Sequence, residues 1–353
     1  MQDISPFLLS LLSQPGLIGY EEPVSALIAE KWRPLVDELS TSRLGSLHGL
    51  RKAAAGKKPP CLMITAHMDA IGLMVKEVDE NLLRVTNIGG LDPRIFPGQM
   101  VTVHGKKEIP GVVQLMPDRL LKESESGKPP TFERLFIDTG LDEKELNQMV
   151  KPGDLASFAQ VPFQLEGEYI AGHSLDNRAS VAALTVCLEE IKNYNLAWNV
   201  QAVATSQEEL SHGGAATSTF QINPDLAIVV DVTFAKGPGS NDYRSFPLGE
   251  GPTIGKGVNC HPALVKKLAA LAEEMDMPFA YEAMAVSSGT EGMNVQITAS
   301  GIPTVVLSIP IRYMHTSVEM AAMKDIYRTG RLLARWITSL EVDSMNTLFE
   351  EEK

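Results

Sequence analysis

The stretch PCLMITAHMDA, residues 60–70, joins a short apolar run to an imidazole and a carboxylate. The run follows a proline and is rich in large apolar side chains, which is typical of a strand buried on both faces. The predicted strand ends near His67, and Asp69 follows directly beyond it. Because ligands of open α/β sheets gather beyond the carboxyl ends of the strands, this stretch indicates both a sheet and a candidate site.

The pattern of residue types in the sequence changes over residues 72–164. Short strand-like runs are separated there by Gly, Pro, Asn and Asp, and only DEKELNQMV has a helical pattern. The polar segment KESESGKPPT, residues 122–131, is predicted to be an exposed loop. This part of the chain is therefore predicted to be a small all-β unit, either a barrel or a sandwich.

Beyond residue 164, strand-like and helical patterns alternate. LDNRASVAALTVCLEEIKNY has the pattern of a buried helix, and WNVQAVATS and PDLAIVVDV have those of strands. Such alternation predicts an α/β fold with a mostly parallel sheet and helices on both faces. We therefore expect residues 1–71 and 165–353 to form one discontinuous catalytic domain, interrupted by a β domain at residues 72–164.

The composition argues against several classes of protein. The chain has 353 residues, 44% of them hydrophobic, and a net charge of −13, which disfavours binding to nucleic acid phosphates. Three separated cysteines without a CxxC pair disfavour a disulfide framework. No apolar run reaches the roughly 18 residues that suggest a membrane span, and residues 1–23 do not resemble a signal peptide. We therefore expect a cytoplasmic protein.

Ionisable side chains recur where other predicted strands end. Glu208 and Glu209 closely follow QAVATS, Asp231 follows LAIVV, and His315 comes shortly after TVVLSI. Asp176 opens a predicted helix, where taken alone it is best interpreted as an N-cap residue. An unpaired carboxylate at the end of a fully apolar run is costly, so we expect a cation or a hydrogen-bond donor beside Asp231.

The residue types at these strand ends suit a metal centre. Two histidines and several carboxylates match Zn, Co or Mn better than Ca or Mg. The set contains more carboxylates than one ion needs, and two ions about 3.5–4 Å apart that share one carboxylate would use them. The neighbours Glu208 and Glu209 repel each other, which is tolerable on a solvated surface or around a cation.

The same stretches resemble a known family, the dinuclear metallo-aminopeptidases, which include glutamyl aminopeptidases, tetrahedral aminopeptidases and proteins labelled cellulase M. The matching segments are GYEEPV, AHMDAIGLMV, LDNR, TSQEE, VVDVT and IPIRYMHTSVE, in the family's order and over most of the chain. The resemblance implies a zinc-peptidase-like α/β fold with an inserted, barrel-like β domain for dimerisation. It also implies two divalent metal ions per subunit, with Zn as the first expectation and Co or Mn as alternatives.

Carried over residue by residue, the resemblance implies two metal sites. Asp176 would bridge both ions. His67 and Asp231 would complete one site, and Glu209 and His315 would complete the other.

The resemblance also implies roles for residues that do not bind the ions. Glu208 would be the general base and acid, and Asp69 would orient His67. Successive side chains of an extended chain point to opposite sides. We therefore expect Glu209 to face an ion while Glu208 faces the substrate.

Other positions carry narrower expectations. In the wider structural clan the peptide bond after the bridging carboxylate is often cis, which would apply here to Asp176 and Asn177. After QEE the chain continues LSHGGAATS, unlike the family's usual sequence. His212 is therefore either a helix-start residue or a histidine that contacts substrate or lies in the third shell around the metals. Glu291 stands where the family often has Asp, and we expect this change to affect the substrate pocket.

The implied activity is removal of the N-terminal residue from short peptides by a homo-oligomer of dimers, which can build a dodecameric shell. A glycoside hydrolase, which the cellulase label suggests, needs two carboxyl groups facing each other across a sugar. The adjacent Glu208 and Glu209 are expected to diverge, and the histidines would have no role in such a site. No GxSxG segment supports a serine hydrolase.

Overall fold

The structure is a computed structural model that describes residues 3–54, 56, 58–117, 119 and 128–350. Residues 122–127 of the predicted KESESGKPPT loop lie outside this set. The described residues form a large sheet, helices on both of its faces, and a closed barrel. The predicted α/β fold class with an inserted all-β unit is confirmed. Within these residues, no helix combines the length and the apolar character needed to cross a membrane.

Parallel strands form the middle of the large sheet, in the order β12 (Asn199–Thr205), β3 (Cys61–His67), β13 (Leu226–Phe234) and β16 (Thr304–Arg312). They are almost entirely buried and rich in Val, Ile and Ala, as expected for strands covered on both faces. Mostly antiparallel pairings add further strands around them. These are β1 (Glu38–Thr41), β2 (Leu47–Arg51), β10 (Phe163–Leu165), β11 (Tyr169–Gly172), β14 (Thr253–Gly257), β15 (Ala280–Met284) and β17 (Glu319–Ala322).

The register of the parallel strands brings their carboxyl ends to one level. Thr205 lies opposite His67 where β12 pairs with β3, and Val229 lies opposite Thr65 where β13 pairs with β3. Asp231 comes two residues after Val229 and therefore lies at the level of His67. Side chains that are distant in the sequence are thus placed at a single edge of the sheet.

Helices cover both faces of the sheet. α4 (Leu175–Ile191) is buried around almost its whole circumference because it packs against both the sheet and α9 (Met323–Ser339). α6 (Gly213–Ile222) and α8 (Gly292–Gln296) pack on the other face. The remaining α-helices of the described residues are α1 (Ser5–Leu12), α2 (Glu22–Trp32), α3 (Glu143–Met149), α5 (Glu208–Ser211), α7 (Pro262–Glu274) and α10 (Ser344–Glu350).

The predicted all-β unit is a closed antiparallel barrel rather than a sandwich. Its core includes the stacked rings of Phe96 and Phe158, whose centroids are 5.4 Å apart. After Phe158 the chain returns to the large sheet, and the predicted boundary between residues 164 and 165 falls within β10. The barrel strands of the described residues are β4 (Gly72–Asp79), β5 (Leu82–Ile88), β6 (Met100–His104), β7 (Glu108–Leu115), β8 (Leu135–Asp138) and β9 (Leu155–Phe158).

Candidate metal centre

The seven side chains predicted from the sequence as site residues meet at the carboxyl ends of the parallel strands. Their side chains are at most 8% exposed, except that of His315, which is 34% exposed. The site is therefore closed around its centre and open to solvent beside His315. The seven are His67 and Asp69 at and beyond the end of β3, Asp176 in α4, Glu208 and Glu209 in α5, Asp231 in β13, and His315 beyond β16.

Asp176 lies between the two histidines, with one carboxylate oxygen facing each. Its Oδ1 is 3.1 Å from His67 Nε2, and its Oδ2 is 3.2 Å from His315 Nε2. A second carboxylate approaches each imidazole. Asp231 Oδ1 is 3.8 Å from His67 Nε2, and Glu209 Oε1 is 3.3 Å from His315 Nε2. The side chains thus form two halves that share Asp176.

Two groups of ligand atoms among the described residues could each hold a cation. Both groups contain His67 and neither contains His315, whereas the predicted division gives the histidines to different ions. We prefer the division centred on Asp176, because each of its oxygens makes the shortest of these contacts with a different imidazole. The two groups, whose ligand atoms lie within 4.8 Å of one another, are His67–Asp176–Glu209 and His67–Glu208–Asp231.

Asp69 holds the backbone of the two adjacent glutamates. Its Oδ1 accepts a hydrogen bond from the N–H of Glu208 at 3.0 Å, and its Oδ2 accepts one from Glu209 at 3.1 Å. Asp69 Oδ1 also lies 3.5 Å from His67 Nδ1. The expectation that an extended chain separates the two glutamates is wrong, because both lie in the first turn of α5. Their side chains diverge because successive helical residues are rotated by about 100°.

The backbone around Asp176 is irregular at the start of α4. The peptide bond between Asp176 and Asn177 is cis, as expected, and both residues have non-helical φ and ψ. The N–H of Asp176 donates to Glu319 Oε2 at 3.0 Å, and the Asn177 side chain donates to the carbonyl of Val230 at 2.9 Å. Asp176 therefore does not act as an ordinary N-cap, and its carboxylate faces the histidines instead.

The site holds more negative charge than its own side chains balance. Burial raises the pKa of Glu208 to about 10, reinforced by repulsion from Asp231 and Glu209. Burial is also the main cause that raises the pKa of Asp231. Burial lowers the pKa of His315, but hydrogen bonds to Asp176 and Glu209 outweigh it and raise the pKa to about 11. Burial and the crowding of carboxylates therefore outweigh the positive charge of His67, and the site lacks enough cationic charge to keep all its carboxylates ionised.

Divalent cations fit this arrangement. Buried carboxylate oxygens and imidazole nitrogens are the donors that Zn, Co and Mn accept, and cations among them would supply the missing charge. His67 Nδ1 has no hydrogen-bond partner among the described residues, and Asp69 is the carboxylate closest to supplying one. A histidine that binds a metal ordinarily donates its second N–H to such a group.

Glu319 is a buried residue of the site that the sequence did not reveal. It is 1% exposed, and its two oxygens accept hydrogen bonds from the N–H groups of Asp176 and His315 at 3.0 and 2.9 Å. One carboxylate therefore joins the two chain segments that carry these side chains. In the sequence, Glu319 is an isolated acidic residue at the end of RYMHTSVE. No apolar run precedes it, so no local pattern indicates a role in the site.

Arg178 was also missed, although an arginine inside an otherwise apolar helical pattern could have drawn attention to it. Its side chain is fully buried, and burial lowers its pKa to about 10. The guanidinium donates to the carbonyl oxygens of Leu11 and Gln14 at 2.6 Å each and to that of Pro15 at 3.0 Å. It also donates to the carbonyl of Met68, so it ties the N-terminal segment to the strand end that carries His67.

Glu291 and His212 lie beside the site in different ways. Glu291 is 1% exposed and accepts hydrogen bonds from Thr65 and Thr205, so it lies beneath the site and does not line a substrate pocket. His212 lies between α5 and α6 and is half-buried, with its Nε2 3.3 Å from Glu208 Oε1. It is therefore a helix-start residue that also contacts a side chain of the site.

Comparisons with known proteins identify a family and a fold that this chain resembles. A sequence profile described as M42 glutamyl aminopeptidase matches residues 45–332. A lysyl aminopeptidase from Pyrococcus furiosus is 31% identical over 337 residues, which cover 94% of this chain and 96% of the relative. The solved structure of an aminopeptidase from Desulfurococcus kamchatkensis has a TM-score of 0.90 at 29% identity and covers 98% of both chains. The solved structure of the TET1 peptidase of Pyrococcus horikoshii has a TM-score of 0.82 at 26% identity and covers 96% of this chain and 100% of that one. That peptidase is described as assembling into a tetrahedron or a large octahedral shell.

Proposed function

Because the chain belongs to the M42 glutamyl aminopeptidase family, we propose that it is a metal-dependent aminopeptidase that removes the N-terminal residue from short peptides. The observation that carries this proposal is the position of Asp176, whose two oxygens face His67 Nε2 and His315 Nε2. A carboxylate shared between two imidazoles is a ligand arrangement suited to two ions that act together on one carbonyl group.

Two divalent ions per subunit would be held by residues already described. Asp176 would bridge them, His67 and Asp231 would complete one site, and Glu209 and His315 would complete the other. Zn is the first expectation for this donor set, with Co or Mn as alternatives. When bound, such ions polarise the peptide carbonyl and lower the pKa of water.

Glu208 is the proposed general base and acid. Its carboxylate lies 3.8 Å from His67 Nε2 at the edge of the buried cluster, and Asp69 holds its backbone. Without ions, the pKa of Glu208 is raised to about 10, and the charge of bound cations would lower it so that the carboxylate is free to act as a base. As water adds to the scissile carbonyl, Glu208 accepts a proton, and it then returns this proton to the amine of the leaving peptide. Asp69 is a positioning residue in this proposal, since it contacts Glu208, Glu209 and the vicinity of His67.

The barrel is the proposed dimerisation element. In this proposal residues 72–164 form the inserted domain, and residues 1–71 and 165–353 form the catalytic domain. Dimers would build a hollow particle such as a dodecamer. A solved relative of 25% identity is described as a dodecamer, which supports this part of the proposal. Light scattering of the purified chain, whose mass is 38.3 kDa, separates these states, and a monomer at all concentrations would contradict the proposal.

The proposed location is the cytoplasm, with no nucleic acid or membrane partner. The cysteines Cys61, Cys187 and Cys260 are all free, which suits a reducing compartment. The net charge of −13 opposes contact with nucleic acid phosphates.

The proposed function can be tested by restoring metals to the metal-free chain. Zn, Co or Mn is added back, and a panel of aminoacyl chromogenic substrates is assayed beside an N-terminally blocked peptide and a cellulose oligomer. We expect metal-dependent release from free N-termini only, and the panel then identifies the preferred residue. The variant Glu208→Gln should retain its metal content and lose hydrolysis. Absence of peptide hydrolysis with every metal would overturn the proposal.

A further inference from the structure

A loop of the barrel reaches into the candidate metal centre. Gly90 lies in the segment that follows β5, and its carbonyl oxygen is 2.6 Å from Nδ1 of His315. We propose that Gly89 and Gly90 are positioning residues that fix the orientation and tautomer of His315, so that the metal site of Glu209 and His315 is completed by the barrel. This inference rests on the proposed pair of metal ions.

The chemistry of the contact determines which nitrogen of His315 is available. A carbonyl oxygen only accepts hydrogen bonds, so Nδ1 must carry the proton and donate it to Gly90. Nε2 lies 3.2 Å from Asp176 Oδ2 and 3.3 Å from Glu209 Oε1, which hold a second proton on it when no cation is bound. A cation at this position would replace that proton and take the Nε2 lone pair, while the Nδ1 proton remains donated to Gly90. The barrel loop thus selects the tautomer that a metal site at this position requires.

The need for such support follows from the position of His315. This residue lies beyond the end of β16 with a φ of 59°, and its side chain is 34% exposed. Its backbone N–H is held by Glu319, but that bond does not fix the ring. Among the described residues, the Nδ1 atom makes its hydrogen bond with the carbonyl oxygen of Gly90. The side chain of His67, in contrast, is 2% exposed and has Asp69 Oδ1 3.5 Å from its Nδ1.

The close approach of the loop depends on its two glycines. Gly89 has a φ of +80°, and a Cβ there would lie 2.5 Å from Ile71 Cγ2. A Cβ on Gly90 would lie 3.3 Å from His315 Nδ1 and 3.4 Å from its Cε1. The Asn87 side chain donates to the carbonyl of Gly89 at 2.7 Å and so holds the loop in place. The loop is therefore held in place by a hydrogen bond, and it presents no side chain where it meets the imidazole ring of His315.

Gly90→Ala is the direct test of this inference. Gly90 does not have a left-handed φ, so alanine keeps the backbone and adds one methyl group that displaces the imidazole by a few tenths of an ångström. Competition with a chromophoric chelator measures the affinities of the two ions, and the absorption of bound Co²⁺ reports the ligands around them. We expect one ion to bind about 10–100-fold more weakly and the other to be unchanged. Gly90→Val should enlarge the effect.

Gly98→Ala is the matched control within the barrel. Gly98 has a φ of +85° with no atom within 4 Å of the added methyl group, so alanine strains the barrel without touching His315. It should destabilise the barrel in thermal unfolding while leaving both metal affinities unchanged. If neither Gly90→Ala nor Gly90→Val weakens either ion, or if Gly98→Ala weakens the same ion equally, the inference is overturned.

A double-variant cycle shows whether Gly90 acts through His315. His315→Ala should weaken the same ion, and adding Gly90→Ala to that variant should change the affinity no further. An additional loss of the same size in the double variant would contradict the inference. These measurements use metal binding alone, so a chain that binds two ions as described but hydrolyses no peptide would refute the proposed function and leave this inference standing.

Discussion

Thr205→Val is expected to destabilise the fold by depriving a buried carboxylate of a hydrogen bond. Glu291 is 1% exposed, and its two oxygens each accept a bond of 2.6 Å from a threonine hydroxyl, that of Thr65 on β3 and that of Thr205 on β12. Valine has nearly the shape of threonine, so the substitution removes one bond and changes little else. A hydrogen bond to a charged group contributes about 1.5–3 kcal/mol, and we therefore expect a loss of about 2 kcal/mol at pH 8.

The size of this loss depends on pH. Burial raises the pKa of Glu291, while the hydrogen bonds from Thr205 and Thr65 lower it in part. A carboxyl group whose folded pKa is raised stabilises the fold below its unfolded pKa, near 4.3, and this stabilisation is lost as the pH rises through the folded value. Removing the Thr205 hydroxyl raises the folded pKa further. The variant should therefore lose less stability at pH 5, where a larger share of Glu291 is protonated, than at pH 8.

Thr253→Val provides the matched control. Thr253, like Thr205, is 0% exposed and donates a 2.6 Å hydrogen bond to a glutamate, but that residue, Glu282, is only half-buried. Water can replace the lost hydroxyl at Glu282, so this loss should be smaller and nearly independent of pH. Urea unfolding of the metal-free proteins at pH 5 and pH 8, followed by circular dichroism, measures both variants. Equal losses in the two variants, or a loss for Thr205→Val that does not change with pH, would refute the reasoning.

Three further predictions concern other buried or half-buried groups. Burial lowers the pKa of His48, so stability should decline as the pH falls below about 6.5, and His48→Gln should flatten this decline in urea unfolding between pH 5 and 7.5. Arg178→Met leaves carbonyl oxygens of the N-terminal segment without donors, at about 1–3 kcal/mol each, so limited proteolysis should cut residues 11–16 faster than in the wild type. His212→Ala should lower kcat about tenfold through its contact with Glu208, with KM and metal content unchanged, and an unaltered kcat would contradict this.

The positions of the main site residues could be predicted because their signals are local. An apolar run that ends in an ionisable residue is visible within a few letters, and it identified His67, Asp231 and the glutamates after β12. Glu319 has no comparable local signal. Glu319 reaches Asp176 because β17 pairs with β11 in a register that places Glu319 opposite Gly172. Such long-range strand pairing cannot be predicted from a short segment of sequence. The contact of Gly90 with His315 likewise depends on how the barrel meets the sheet.

The adjacent glutamates show what the sequence could and could not reveal. It disclosed two neighbouring carboxylates whose repulsion is tolerable on a solvated surface or around a cation, but it suggested an extended chain, whereas α5 begins at Glu208. A third carboxylate, that of Asp69, accepts the N–H groups of both residues and so fixes the turn while adding negative charge to it. The hydrogen bonds favour this turn. Burial of Glu208 and its repulsion from Asp231 and Glu209 oppose ionisation of the turn's carboxylates, and both raise the pKa of Glu208. The proposed ions would remove the opposition without changing the hydrogen bonds, so the turn and the metal sites would stabilise each other.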